Sequence, residues 1–227
     1  MLDALAMLVW GIVGQVLVVS VAVGVGVDIT SPRATAVLTV VMQVVILVGI
    51  LAFLRYRRVS LWRILGPVRP RWTHVAMGVG LGLVGLLMVL VASAMITALL
   101  PEVSQPEQAL LDVLGTDPVS TAAVLVAAVV MAPIVEEIQY RSLLFQSTRA
   151  KIGLPGAMVL SSLVFVGVHV EVWGSLPALG GLLLLAFWLA AIFHQTGSLV
   201  VAMVAHGTFN GLMIVGALTL PSDVPGV

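Results

Sequence analysis

Two adjacent carboxylates, Glu136 and Glu137, follow a seventeen-residue uncharged run from Val119 to Val135. A charged side chain at the centre of a bilayer costs roughly 2.5–3.5 kcal/mol on insertion scales, so acids within such a run need partners or a task. One basic residue lies close by in sequence, Arg141, four positions after Glu137 and on the same helical face. It can neutralise one glutamate. Pairing Glu137 with Arg141 puts the glutamate N-terminal to the arginine, the favourable order, and leaves Glu136 as the unpaired acid. Two later apolar stretches each bring an imidazole, His169 and His206, and the second also brings Asn210 one turn on. A carboxylate and imidazoles together can exchange protons, so the chemistry on offer is acid–base catalysis or a proton relay.

The elements that position these residues follow from composition. The chain of 227 residues is 61% hydrophobic and 9% charged, with a mean hydropathy of +1.21. Such a chain lacks the polar surface of a soluble globule. Uncharged stretches run Leu5–Val27, Ala34–Leu54, Val75–Leu100, Val119–Val135, Leu154–Val168, Leu176–Phe193 and Gly197–Leu220. Most reach or approach the roughly 20 residues that cross a bilayer core. The expectation is an all-α polytopic membrane protein, one transmembrane domain over residues 1–227. It has seven spans, or eight if Val75–Leu100 and the segment after it divide differently.

A depth count brings the polar residues together. At about 1.5 Å per residue from the cytoplasmic edge, Glu136 lies ~20 Å above Arg149, His169 ~21 Å above Pro155 and Asn210 ~20 Å above Gly197, with His206 one turn shallower. Each alone has a structural reading: an intramembrane histidine or asparagine can simply join helices by hydrogen bonds. Four such side chains from three spans at one depth favour a functional set. Gln139, three residues after Glu136, could hydrogen-bond toward it. Glu171, His194 and His74 fall near span ends and are assigned to interfacial or packing roles.

The charge distribution sets an expected orientation. Arg55, Arg57, Arg58, Arg63, Arg69 and Arg71 crowd one loop with Trp62 and Trp72, and Arg149 with Lys151 occupies another on the same side. The positive-inside rule makes that side, and the N-terminus, cytoplasmic. The opposite side carries Arg33 and the acids Glu102, Glu107, Asp112 and Asp117, and Pro101–Pro118 is expected to form a short amphipathic surface helix. Gly78-xxx-Gly82 and Gly207-xxx-Gly211 are spacings that let helices approach closely. No basic leader precedes Leu5, so the first span reads as a retained anchor. The zero net charge implies no nucleic-acid partner, and the absence of cysteine excludes thiol nucleophiles, cysteine-ligated metals and disulfides. An Ala/Val-rich, arginine-dominated composition is associated with bacterial genomes rich in G and C, which suggests a bacterial plasma membrane. His-Glu-x-x-His of zinc proteases and Gly-x-Gly-Asp of aspartyl intramembrane proteases are both missing. Gly174-Ser175 and Gly197-Ser198 lack the setting of a rhomboid-type serine nucleophile.

Glu136-Glu137-x-x-x-Arg141, Phe165-x-x-x-His169 and His206-x-x-x-Asn210 resemble, in order, the three motifs of the CAAX protease and bacteriocin-processing (CPBP, or ABI) family. That family includes the type II CAAX prenyl endopeptidases similar to the Ras-converting enzyme. Phe193-His194-Gln195-Thr196-Gly197-Ser198-Leu199 is similar to the lead-in that bacterial members carry before the last motif. The resemblance covers about residues 119–215, the implied catalytic core. Ser142 departs from it, standing where many members have glycine.

The resemblance implies an intramembrane glutamate protease acting on membrane-associated proteins or peptides. Glu136 and His169 would hold and activate a water, His206 and Asn210 would donate hydrogen bonds to the oxyanion, and Glu137 and Arg141 would brace the helix. The family is also described as metallopeptidase, and Glu136, His169 and His206 could supply a two-histidine, one-carboxylate zinc set. The direct glutamate-activated water, with no cofactor required, is the reading taken, because Asn210 is a poor zinc ligand and a good oxyanion donor. A non-catalytic adaptor or bacteriocin-immunity protein of the same fold would not need all four residues. A proton-coupled transporter would usually show repeat symmetry, which this sequence lacks.

Overall fold

The computed structural model describes residues 2–66, 71–102 and 113–219. The expected amphipathic helix over Pro101–Pro118 falls mostly on residues outside these, as do Arg69, Glu107 and Asp112. Long helices dominate: α1 Leu2–Gly24, α2 Pro32–Tyr56, the short α3 Leu61–Leu65, α4 Trp72–Leu99, a continuous helical stretch over residues 118–168, α8 Leu176–Thr196 and α9 Leu199–Thr219. Within the continuous stretch lie α5 Pro118–Leu125, a π-helical turn Val126–Met131, α6 Ala132–Glu136, a second π-helical segment Glu137–Phe145 and α7 Gln146–Val168. Six of these helical stretches are long and apolar enough to cross a membrane. The chain is therefore an integral membrane protein of the all-α polytopic class. Side chains such as Val9, Val16, Val48, Leu87 and Val91 face outward, the arrangement a lipid solvent rewards.

Local chemistry sets the helix ends. Ser31 and Ser175 cap α2 and α8 by accepting from the N–H groups of Ala34 at 3.2 Å and Ala178 at 3.3 Å. Pro32 and Pro177 sit in the first turns, where a missing N–H costs nothing. Gly197, at φ 62°, ends α8 in the left-handed conformation.

The stretch 118–168 holds 51 residues, about 77 Å as a straight helix, far more than the roughly 30 Å hydrocarbon core. It folds back at Gly153, whose φ of 75° and ψ of 179° lie outside helical geometry. As a result Phe165 returns to Tyr140, with ring centroids 5.0 Å apart. The six stretches thus make seven arms. Arg149 and Lys151 are exposed beside the fold-back, while Glu136, Glu137 and Arg141 lie well inside the first arm rather than at its end.

The glycine spacings hold α4 against α9. A Cβ at Gly78 would stand 2.6 Å from the Val204 side chain, and one at Gly82 would stand 2.6 Å from Ala205 O. The core between them and α8 is aliphatic, with Leu189, Leu199, Val201 and Ala202 fully buried. This packing places the middle of α9 directly against the arm that carries the two glutamates.

Candidate active site

The arm bearing the glutamates departs from α-helical register just before them. Ala132 N–H bonds the carbonyl of Ala127, five residues back, so Ala128 O loses its usual α-helical donor. The next donor in π register would be residue 133, a proline with no N–H. Ala128 O is therefore left free on the buried side, and Asn210 of α9 donates to it through Nδ2 at 2.8 Å. One turn earlier, Gly207 passes the same stretch so closely that a Cβ there would stand 2.5 Å from Val129 O.

Glu137 is completely buried, between Arg141 and α9. Arg141 Nε lies 3.3 Å from Glu137 Oε2, an i,i+4 pair held by proximity, since neither atom has an aligned hydrogen bond. The guanidinium also donates from Nη2 to Ala186 O at 3.3 Å and stacks over Phe165, 4.7 Å from Cζ to the ring centre. The other carboxylate oxygen of Glu137, Oε1, is 3.0 Å from His206 Nδ1. Glu137 thus binds both the arginine and a histidine. Spacing alone pointed to the arginine but could not show the partner 69 residues away.

Both histidines turn the same edge toward Glu136. His169 Nδ1 lies 2.6 Å from Phe165 O; a carbonyl only accepts, so that nitrogen carries the proton. Assigned in the same way, His206 Nδ1 donates to Glu137. The Nε2 atoms then face Glu136 Oε2, at 4.0 Å from His169 and 3.8 Å from His206. These gaps are too long for direct hydrogen bonds, and a water about 2.8 Å from both atoms of a pair would bridge it from the side. His169 ends α7 and leaves helical conformation, with φ −89° and ψ 69°, which turns its ring toward Glu136. As they stand, Glu136, His169 and His206 are not arranged as a metal-holding group, and no other such group exists among the described residues.

Glu136 and His169 reach a cavity of about 190 Å³. Gln139 lines it too, with its Nε2 tied to Met7 O at 2.8 Å. Ser142 donates to Ile64 O at 3.2 Å, so the residue at the departure from the family pattern joins this arm to α3. Glu171 borders the cavity just past His169. His194 packs near the Phe145 ring, and His74 accepts from Arg71 N–H at the start of α4, 3.3 Å away. Two carboxamides of the cavity escaped sequence reasoning, Gln15 of α1 and Gln43 of α2. Their signal was available: carboxamides within otherwise apolar spans.

Compared with known families, residues 118–212 match the model described as type II CAAX prenyl endopeptidase Rce1-like. The match takes in all three motifs. No curated protein and no solved structure matches the chain.

Proposed function

We propose, from the premise that this chain carries in residues 118–212 a domain of the Rce1-like CAAX protease family, that it is an intramembrane endopeptidase. Its substrates are membrane-associated proteins or peptides, and its base is Glu136. The observation that carries this reading is Glu136 Oε2 flanked by two imidazole Nε2 atoms at 3.8 and 4.0 Å beside a cavity.

In this mechanism a water sits between Glu136 and His169. Glu136 takes one proton as the water oxygen bonds to the scissile carbonyl carbon, and the carbonyl oxygen becomes an oxyanion. His206 and Asn210 donate to that oxyanion. Because His206 Nδ1 already donates to Glu137, its Nε2 needs a second proton to serve as a donor, and the buried Glu137 carboxylate faces the resulting cation. Asn210 has a second N–H beside the one given to Ala128 O. Collapse of the tetrahedral intermediate breaks the C–N bond, and the proton held by Glu136 passes to the leaving amine. Fixed donors in a water-poor site stabilise such charge without reorganising. Arg141 and Glu137 act as positioning residues, the first holding the second and the second holding His206. No step requires a cofactor.

The arginine-rich loop supports a cytoplasmic N-terminus, and the Ala/Val-rich, arginine-dominated composition supports a bacterial plasma membrane. The test compares membrane proteomes from cells carrying the wild type or Glu136→Gln. Gln keeps size and hydrogen bonding and removes the base, so an uncleaved protein should accumulate with the variant. Unchanged cleavage by purified Glu136→Gln would sink the mechanism.

A further inference from the structure

Gln15 and Gln43 border the cavity that holds Glu136 and His169, and they come from α1 and α2, outside the matched residues 118–212. Gln43 shares the inward stripe of α2 with Ile46 and Ile50, both buried. Its Oε1 is buried with no hydrogen-bond partner. That is unusual for an amide in a membrane span, where such groups normally find a partner on a neighbouring helix. The two helices are held together at this level: Trp10 Nε1 donates to Ile46 O at 3.2 Å, and a Cβ at Gly14 would stand 3.4 Å from Ile46. Gln139, by contrast, is committed to Met7 O.

A peptide cleaved within a membrane must be unwound where it is cut, because an α-helix shields its carbonyls within its own hydrogen bonds. Unwinding frees backbone N–H and C=O groups that lipid cannot satisfy. A carboxamide offers a donor and an acceptor in one plane, the same pair a peptide unit presents. We propose that Gln43, assisted by Gln15, forms a subsite that pairs with the unwound backbone of a membrane-embedded peptide next to the scissile bond. The inference rests on the endopeptidase reading for its meaning. Gln43 and Gln15 are binding residues, not catalytic ones: they touch peptide units that do not react.

The test measures binding separately from cleavage. Two labelled leucine-rich membrane peptides of equal composition are titrated against full-length protein in micelles, one with a central helix-breaking Gly-Pro and one with these residues moved to the end. The protein carries Glu136→Gln so that nothing turns over. The broken peptide should bind more tightly, and Gln43→Leu should raise its Kd roughly 5- to 30-fold, the range expected for one hydrogen bond lost with its partner stranded. Gln15→Leu should act in the same direction and less. Thermal unfolding of Gln43→Leu should match the parent, and Gln43→Met serves if the branched side chain misfits. Equal binding of the two peptides, an unchanged Kd with Gln43→Leu, no binding at all, or unfolding of both variants would each overturn the subsite. With Glu136 restored, cleavage of the broken peptide is read in parallel. Binding through Gln43 without cleavage would overturn the endopeptidase reading and leave the subsite standing. Cleavage indifferent to Gln43→Leu, in both KM and kcat, would do the reverse.

Discussion

Asn210 completes a hydrogen bond that Pro133 cannot make. The register shift that sends Ala132 N–H to Ala127 O leaves Ala128 O facing a proline in the next donor position. Asn210 Nδ2 fills that place from another helix at 2.8 Å. The proline upstream of the two glutamates therefore helps to set the position of a side chain 77 residues later, and so the approach of α9 to the site. π-Helical irregularities of this kind recur at functional sites because they free backbone groups and re-aim side chains.

This relationship predicts how Asn210 variants behave. Asn210→Ala removes both the tie to Ala128 O and the second N–H. Turnover should fall on the order of 10²–10³-fold, the usual cost of one lost oxyanion donor, with substrate binding nearly unchanged. Asn210→Asp should be worse, since a carboxylate cannot donate to Ala128 O and would repel the oxyanion. Steady-state kinetics on both variants decide the matter; equal kcat in Asn210→Ala and wild type would remove Asn210 from the mechanism.

Pro133→Ala restores the missing N–H. The new donor should compete for the Ala128 or Val129 carbonyl and loosen the grip of Asn210, lowering kcat while thermal stability holds or rises. A variant that loses stability and keeps its activity would show that the proline serves packing alone.

Glu137 and Arg141 are buried together, at 0% and 1% side-chain exposure. Removing one charge strands the other, a loss typically of about 3–5 kcal/mol. Arg141→Leu should therefore lower the unfolding midpoint and the yield of folded protein. Glu137→Gln should also disturb His206, because a carboxamide presents a neutral acceptor to Nδ1. Normal thermal stability of Arg141→Leu would count against the bracing role.

Close approach of α9 to the glutamate arm predicts a contrast between glycines. At Gly207 a Cβ would stand 2.5 Å from Val129 O, whereas at Gly80 nothing lies within 4 Å. Gly207→Ala should cost about 1–3 kcal/mol and most of the activity through overpacking, while Gly80→Ala should leave both intact. Parallel melting curves and cleavage assays check this pair; equal effects would mean the two helices are not held so closely.

Orientation can be read with single cysteines at Thr30 and Ser60, exposed positions at opposite ends of α2 in a chain with no native cysteine. On intact cells an impermeant maleimide should label Thr30→Cys and spare Ser60→Cys. The reverse pattern would place the arginine-rich loop outside.

Hydropathy alone marked the all-α membrane class and the approximate spans, because lipid imposes its demand residue by residue along the chain: each span must be apolar wherever it lies in the fold. The three motifs likewise marked out the segment that matches the Rce1-like family, since spacing on a helix determines which side chains share a face. The fold-back was less visible. Arg149 and Lys151 suggested a loop, but the helical stretch runs on through them to Gly153, where a positive φ turns the chain. Tertiary structure alone decided the partners. That Glu137 holds His206 as well as Arg141, that Asn210 answers a carbonyl orphaned by Pro133, and that Gln43 borders the cavity with its Oε1 buried and unpaired all depend on π register and on helices distant in sequence. Helical periodicity shows which face a residue occupies; which helix lies against that face, and at what height, is settled by packing between elements far apart in the chain.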